Sequence, residues 1–333
     1  MVGRRSRRRA RAGLAWAALG LMCGALSSGV SLATAATQPV ELAAPYEYLG
    51  WGNPQPPASV LANTGIKDLT LAFILSHGAC NPTWDGTRPL LGGSDEAAIE
   101  SIRAAGGDVV VSFGGWSGKK LGNSCKSVSA LAGAYQKVID AYSLKAIDVD
   151  IEHGEFTSKK VRKRVVEALA SVQRANPGLE ISITFGTEES GPDRDGRSLI
   201  ADAAAIGFQP TVWTLMPFDF GPALTDMGHA SARAVEGLVQ DLVSAYPISA
   251  ATAYEHAGIS SMNGETDEAS ETVSLEDFDT MLSFAQLRHL GRLAFWSLNR
   301  DRPCAPGEGS SDSCSGIAQQ PYAFTEVIAR YHG

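Results

Sequence analysis

Several sequence signatures of common binding and catalytic sites are absent from this chain. Its 333 residues include five cysteines, no two of which form a C-x-x-C pair, and no histidine stands at zinc-finger spacing from them. The chain also has no P-loop, no nucleophile elbow and no G-x-G-x-x-G after its first apolar run. We therefore predict a site that uses neither a metal nor a cofactor.

Basic residues are scarce beyond the first forty positions. Six of the 28 lysines and arginines lie in that segment, which has no acid, so the remainder has 22 basic and 36 acidic side chains and a formal charge of −14. Such a surface binds phosphate poorly, so we expect neither nucleic acid nor an anionic membrane as a partner. The 44% of apolar and 19% of charged residues are typical of a globular protein.

The N-terminal segment is organised like a secretory signal peptide. Six arginines between Arg4 and Arg11 precede an apolar stretch over residues 14–32, and Ala33-Thr34-Ala35 follows as an A-x-A cleavage pattern. A membrane anchor is the alternative, but glycine, serine and cysteine interrupt the stretch and a cleavage pattern ends it. We predict a signal peptide over residues 1–36 and a secreted, extracellular protein, whose export route (general or twin-arginine) stays open.

Four cysteines remain once the signal peptide, with Cys23, is removed: Cys80, Cys125, Cys304 and Cys314. An even number in an oxidising compartment predicts disulfide bonds. Three pairings exist in principle. The separation of ten residues makes Cys304–Cys314 the natural local pair, which leaves Cys80–Cys125.

Apolar, β-branched runs alternate with amphipathic patterns along the rest of the chain. Strands are predicted at 46–51, 69–75, 108–113, 146–152, 180–185, 212–218, 258–262 and 292–298, and helices at 95–105, 127–142, 158–175, 231–246 and 275–290. The strands are almost continuously apolar, as in a parallel sheet that helices cover. Eight of them in an α/β alternation predict a single (β/α)8 TIM barrel over residues 42–333, with a doubly wound open sheet as the alternative.

The fourth predicted strand carries three acids on one face. Alternate residues of a strand point the same way, so Asp148, Asp150 and Glu152 would line the barrel interior up to its C-terminal mouth. Three such neighbours cannot all ionise at low dielectric, so a proton is shared and a pKa is raised. A carboxyl kept protonated in this way can act as a general acid. An exposed acidic strand edge is the alternative.

Further motifs fall at the same end of the predicted barrel. Ser112-Phe113-Gly114-Gly115 closes the third strand, Met216-Pro217-Phe218-Asp219 closes the sixth, and Trp296 lies in the eighth. Together with D-x-D-x-E, these motifs resemble the chitinases of glycoside hydrolase family 18, over nearly all of the chain after the signal peptide. The segment from Trp296 to Cys304 is similar to the secreted bacterial, actinomycete-type group.

The resemblance implies hydrolysis of β-1,4 bonds between N-acetylglucosamine units with retention, in which the acetamido oxygen of the substrate is the nucleophile. Glu152 matches the general acid, and Asp150 matches the residue that holds the acetamido N–H. Asp148 would share a proton with Asp150, and Trp296 would lie under the reacting sugar unless it is a core residue. Further substrate contacts are expected from Gly114, Gly115, Trp116, Met216, Phe218 and Asp219.

The chain departs from the family pattern at three places. Phe218 stands where the family has a tyrosine whose hydroxyl binds the acetamido carbonyl, which either slows the reaction or reflects a rearranged pocket. Lys145-Ala146 replaces the usual Asp-Gly at the start of the fourth strand, where structural consequences are expected. Residues 187–192 form an acidic loop where relatives have a more apolar one, so substrate preference is open.

We therefore expect a secreted, monomeric chitinase acting on chitin or chitooligosaccharides. One alternative is an endo-β-N-acetylglucosaminidase acting on N-glycans with the same strand-four acids. The other is a non-catalytic, lectin-like chitin-binding barrel. Inactive relatives usually lose the acid, so the presence of Glu152 favours an enzyme.

Overall fold

The computed structural model describes residues 42–221 and 224–333, so the predicted signal peptide and Cys23 lie outside the described part. Eight parallel strands pair in chain order. They are β1 Tyr46–Tyr48, β2 Asp68–His77, β3 Asp108–Gly114, β4 Ala146–Asp150, β5 Glu180–Gly186, β6 Val212–Met216, β7 Ala257–Met262 and β8 Arg292–Trp296. The N–H of Leu293 in β8 donates to Leu42 O just before β1 (2.8 Å). The sheet is thus a nearly closed barrel, and the open-sheet alternative is wrong.

A helix follows each strand of the barrel. These helices are α1 Pro57–Thr64, α2 Ser94–Ala104, α3 Val128–Tyr142, α4 Lys159–Ala175, α5 Arg194–Ala204, α6 Met227–Ala245, α7 Leu275–Arg288 and α8 Ala323–Ile328. Shorter helical turns occupy Leu121–Ser124, His153–Thr157, Ala250–Glu255 and Leu298–Arg300. The predicted (β/α)8 architecture is therefore confirmed.

Two small antiparallel additions were not predicted. The strand Asn81–Trp84 pairs with β2, and Gly264–Glu265 pairs with Thr272–Val273 as a hairpin between β7 and α7. Both lie in connections at the C-terminal end of the barrel, where loops vary and carry function.

Successive side chains of β4 point alternately to the hydrophobic core and to the interior of the barrel. Ile147 and Val149 are buried in the layer between the barrel and the helices, and each contributes about 1.5–3 kcal/mol of hydrophobic stabilisation. Asp148 and Asp150 therefore point to the interior of the barrel, as predicted. The helix α4 ends at Ala175, as predicted, and the helix-ending sequence Asn176-Pro177-Gly178 follows it.

Four of the eight predicted strands are too long at their C-terminal ends. The first ends at Tyr48 rather than at residue 51, because the Asn299 side chain accepts from Tyr48 N (2.9 Å) and donates to Tyr48 O (2.8 Å). Gly52, at φ +73°, then turns the chain away. The fourth, sixth and eighth strands likewise end at Asp150, Met216 and Trp296. The residues beyond them belong to the loops of the mouth.

Both predicted disulfide bonds are confirmed. Cys80–Cys125 joins the loop after β2 to the loop after β3, and Cys304–Cys314 closes a short loop after β8. Each bridge thus constrains a loop at the C-terminal face. Among the described residues, no helix combines the length and the apolar character that crossing a bilayer requires.

A buried glutamate on β1 should make stability depend on pH. Glu47 is fully buried on the face opposite Tyr46 and Tyr48, and burial raises its pKa from 4.5 to about 8, which Arg302 offsets only in part. The pKa of Glu47 is higher in the folded than in the unfolded protein. The free energy of unfolding is therefore highest below pH 4.5 and falls, by on the order of 5 kcal/mol, as the pH rises to 8.

We expect Glu47→Gln to remove that fall, since the amide stays neutral. Urea denaturation at pH 5 and pH 9 would measure it, with the exposed Glu167→Gln as the control. Equal pH dependence in Glu47→Gln and the wild type would contradict the prediction.

Candidate active site

Asp148 lies at the centre of the barrel and is fully buried. Its Oδ2 accepts from the hydroxyls of Tyr46 (2.8 Å) and Ser112 (2.5 Å), and its Oδ1 accepts from Thr184 Oγ1 (2.6 Å) and Arg292 Nη1 (3.2 Å). The donors come from β1, β3, β5 and β8, so this carboxylate ties together both halves of the barrel. An arginine and three hydroxyl donors thus hold this side chain in one position.

The expected hydrogen bond between Asp148 and Asp150 is not seen. The contacts of Asp148 all go to other residues, because four donors already fill its two oxygens. Asp148 therefore acts on Asp150 through its charge. Burial, with the charges of Glu152 and Asp148, raises the pKa of Asp150 well above its usual range.

Glu152 follows β4 at the mouth of the barrel and precedes the short helix His153–Thr157. Burial raises the pKa of Glu152 to about 7, with Lys120 opposing the shift and Asp267 adding to it. The carboxyl is thus poised between its protonated and ionised forms near neutral pH. A group that must give a proton and later take one back needs this balance.

The S-x-G-G motif at the end of β3 contacts the acids of the neighbouring strand β4. Ser112 donates to Asp148, and Gly115 N–H donates to Asp150 O (2.9 Å). A Cβ on Gly114, which has φ +105°, would meet Asp150 O at 2.1 Å, and one on Gly115 would lie 2.6 Å from the Phe73 ring. Only glycine allows this approach. The two glycines thus set the position of Asp150.

Aromatic rings surround Trp296 at the end of β8. Its indole stacks on Phe73 (centroids 5.5 Å apart, planes at 15°) and meets the edges of Tyr46, Tyr48 and Trp51 at 6.2–6.4 Å. Trp296 is partly exposed, and it lies above the tyrosine that holds Asp148. An exposed indole in this position is suited to stack on the apolar face of a sugar.

Trp116 lies beside the segment after β4 that contains Glu152, and not inside the barrel. Its side chain is 70% exposed and contacts the ring of His153, one residue after Glu152, with centroids 3.9 Å apart. A large aromatic left in solvent beside a candidate acid is available to a ligand.

Lys120 is a buried cation that sequence reasoning missed. It is 4% exposed, and its Nζ donates to Ser117 O. Burial lowers the pKa of Lys120, while the charges of Glu152, Glu155 and Asp150 raise it. Glu155 is also buried, accepts from Gly122 N (2.6 Å) and has a pKa raised by burial to about 7. One ammonium group thus faces three carboxyls.

We expect Lys120→Met to move the alkaline limb of the kcat/KM profile to higher pH, by up to about one unit. Lys120 lowers the pKa of Glu152, so an acid without this neighbour stays protonated to higher pH. The profile of kcat/KM against pH measures the shift, and Lys119→Met, which removes the exposed lysine next in sequence, is the matched control. An unchanged or lowered alkaline limb would refute the assignment.

The loop after β6 brings three predicted contacts to the mouth. Met216 ends the strand and is partly exposed, and Phe218 is half-buried against the hydrophobic layer between barrel and helices. Asp219 has φ +58° and accepts from Glu268 N (3.2 Å). Partial burial, with the charges of Asp267 and Glu271, raises the pKa of Asp219.

The packing of Phe218 favours a rearranged pocket over a slowed reaction. Its ring packs against an apolar layer, so we expect Phe218→Tyr to give no gain in kcat on short chitooligosaccharides. Steady-state kinetics measure this, and Phe220→Tyr, which adds a hydroxyl beside the same layer, gives the general cost of the change. A severalfold rise in kcat for Phe218→Tyr would show instead that the missing hydroxyl handicaps the protein.

The partners of Asp148 were also missed from the sequence. A charged residue, Arg292, at the start of an otherwise apolar strand is a signal that could have been used, because a buried cation needs a buried acid. Tyr46 and Thr184 give no such signal, since both residue types are common in strands. No group of three side chains suited to hold a metal ion occurs within residues 42–221 and 224–333.

Two curated chitinases are similar to this chain, although no family model matches it. The "Probable bifunctional chitinase/lysozyme" of Escherichia coli (strain K12) is 29% identical over 293 residues, 82% of this chain. Endochitinase 11 of Metarhizium anisopliae is 29% identical over 257 residues, 73% of this chain. The chain spans 32% of the length of the first protein and 49% of the second.

Solved chitinase structures from Pyrococcus furiosus share the fold. The catalytic domain of its hyperthermophilic chitinase has a TM-score of 0.79 at 28% identity, covering 89% of this chain and 96% of that one. Catalytic-site mutants of active domain 2 of the thermostable chitinase, complexed with chito-oligosaccharides, give 0.80 at 28% identity, covering 89% and 95%. These similarities support the relationship to family 18 chitinases that the motifs indicate.

Proposed function

We propose that this protein is a secreted family 18 chitinase of the actinomycete-type group, which hydrolyses β-1,4 bonds between N-acetylglucosamine units with retention. The observation that carries the proposal is the row of three acids that begins on β4: an Asp148 that accepts from four donors, a buried Asp150 with a raised pKa, and a Glu152 whose pKa is about 7. The similarity to chitinases, one of them solved with chito-oligosaccharides, supports the substrate class.

The first step breaks the glycosidic bond. Glu152 donates its proton to the leaving oxygen, while the acetamido oxygen of the same sugar attacks its anomeric carbon and forms an oxazolinium ion. Asp150 accepts a hydrogen bond from the acetamido N–H and balances the positive charge that develops. Trp296 stacks under the sugar that distorts. The displaced chain leaves with the proton of Glu152.

The second step returns the site to its starting state. Glu152, now ionised, takes a proton from a water molecule, which attacks the anomeric carbon and opens the oxazolinium ring. Two inversions at the same carbon give net retention. The balance near neutral pH that burial gives to Glu152 suits both steps.

Colloidal chitin and a high-mannose glycoprotein, incubated in parallel with the mature protein, test this function. We expect soluble chitooligosaccharides from chitin, with the β-anomer appearing first by NMR, and no release of glycans. Glycan release without chitin cleavage would instead support the endo-β-N-acetylglucosaminidase. Binding to chitin without any product would support the lectin-like barrel.

Secretion and the monomeric state are parts of the same proposal. The arginine-rich start, apolar stretch and A-x-A pattern support export, as do the two disulfide bonds. The N-terminal sequence of protein recovered from culture medium, together with its mass in solution, tests both. A start near residue 37 and the mass of one chain are expected.

A further inference from the structure

A hairpin between β7 and α7 contacts the mouth of the barrel. Its strands are Gly264–Glu265 and Thr272–Val273, and the residue before the second strand is Glu271. Glu271 is 1% exposed, which is rare for a carboxylate unless other groups hold it. The proposed reaction does not use this residue.

The carboxylate of Glu271 binds three successive backbone N–H groups of the loop after β6. Oε1 accepts from Asp219 N (2.7 Å), and Oε2 accepts from Phe220 N (2.8 Å) and Gly221 N (3.0 Å). Thr266 Oγ1 also donates to Oε1 (3.1 Å). These groups lie beyond the end of β6 and so lack the hydrogen bonds of a strand. Hydrogen bonds to an ionised acceptor are the strong ones.

The turn of the same hairpin holds the side chain of Asp219. Its Oδ1 accepts from Glu268 N (3.2 Å), and the Thr266 side chain also hydrogen-bonds to it. Residues 266–271 therefore fix both the backbone and the carboxyl of Asp219. Asp219 has φ +58°, a backbone conformation that costs a non-glycine residue energy, so the surrounding contacts must maintain it.

We propose that Glu271 is a positioning residue, which holds the loop of residues 217–221 so that Phe218 and Asp219 form a fixed wall of the sugar site. This inference rests on the proposed function. The loop has no strand partner beyond Met216, so its placement depends on a carboxylate that reaches it from 50–52 positions along the chain. A small displacement of a substrate-contacting group lowers the rate more than the affinity when the group acts in the transition state.

Glu271→Gln and Glu271→Ala test the proposal in the full mature protein. The amide keeps the shape but places an N–H₂ donor against N–H donors, so we expect kcat on chitooligosaccharides to fall about tenfold, with KM changed less than threefold. For Glu271→Ala we expect a larger fall in kcat. The matched control is Glu276→Gln, five residues on and exposed at the start of α7, which should keep the wild-type values.

Hydrogen exchange of the amides of residues 219–221 gives a readout that needs no activity. We expect faster exchange in both Glu271 variants and none of this change in Glu276→Gln. Wild-type kcat in folded Glu271 variants would overturn the proposal, even if their melting temperature were lower, because Glu271 would then be structural only. Unchanged exchange would overturn it as well. An inactive wild type would defeat the proposed function, and the exchange data would then decide whether Glu271 holds the loop.

Discussion

Replacing Glu152 with glutamine is expected to lower kcat on chitooligosaccharides by about 10³-fold while KM changes less than about threefold. The amide has the shape of the acid but cannot donate a proton to the leaving oxygen. The wild-type carboxyl can, because burial raises its pKa to about 7 and so keeps a large protonated fraction near neutral pH. Steady-state kinetics give the two constants, and calorimetric titration with an oligosaccharide checks that binding survives.

The control for this variant is Glu167→Gln, the same change on the exposed face of α4. It should match the wild type in kcat and KM. Hydrolysis by Glu152→Gln at a rate near that of the wild type would remove Glu152 from the mechanism. A loss of oligosaccharide binding would show instead that the carboxyl serves the ground state.

Asp150→Asn should lower kcat by about 10²–10³-fold with the fold unchanged. Asp150 is 5% exposed, and its Oδ1 has no hydrogen-bond partner within the described residues, so it is free to accept from the acetamido N–H in the proposed reaction. Asparagine can keep one hydrogen bond but has no carboxyl that can ionise beside the oxazolinium ion. The effect should therefore appear in kcat more than in KM.

Asp140→Asn, on the exposed surface of α3, is the matched control, and circular dichroism with thermal melting checks the fold. The sharper comparison uses a substrate whose acetamido group is replaced by a free amine. Wild type and Asp150→Asn should then be similarly slow, because the group that Asp150 orients is gone. Near-wild-type turnover of chitooligosaccharides by Asp150→Asn would exclude the substrate-assisted route.

The barrel could be predicted because its signals are local and repeated. The alternation Ile147-Asp148-Val149 shows which face of a strand is covered, and Asn176-Pro177-Gly178 is a local signal for the end of a helix. The ends of the strands could not be placed in the same way. Tyr48 ends β1 because the side chain of Asn299, 251 positions away, takes its backbone hydrogen bonds.

The candidate site could also be predicted only where its signals are local. Spacing by two residues put Asp148 and Asp150 on one face, and the shared edge of parallel strands brought the motifs of β3, β4, β6 and β8 to one mouth. The strand pattern alone did not distinguish the three acids. Their separate roles, among them a proton shared by Asp148 and Asp150, came only from the resemblance to the chitinases. The structure pairs Asp148 with Arg292 instead.

The sequence by itself determined the architecture, the set of acids and the end of the barrel where they meet, because these follow from periodicity and chain order. Only the tertiary structure decided that the pKa values of Asp150 and Glu152 are raised, since a pKa depends on burial and on neighbours that lie far away in sequence. Arg292 reaches Asp148 across 144 positions, and Glu271 reaches Asp219 across 52. Lys120 likewise faces Glu152 from a different loop. Chain folding brings these charges together, and no local pattern encodes their distance.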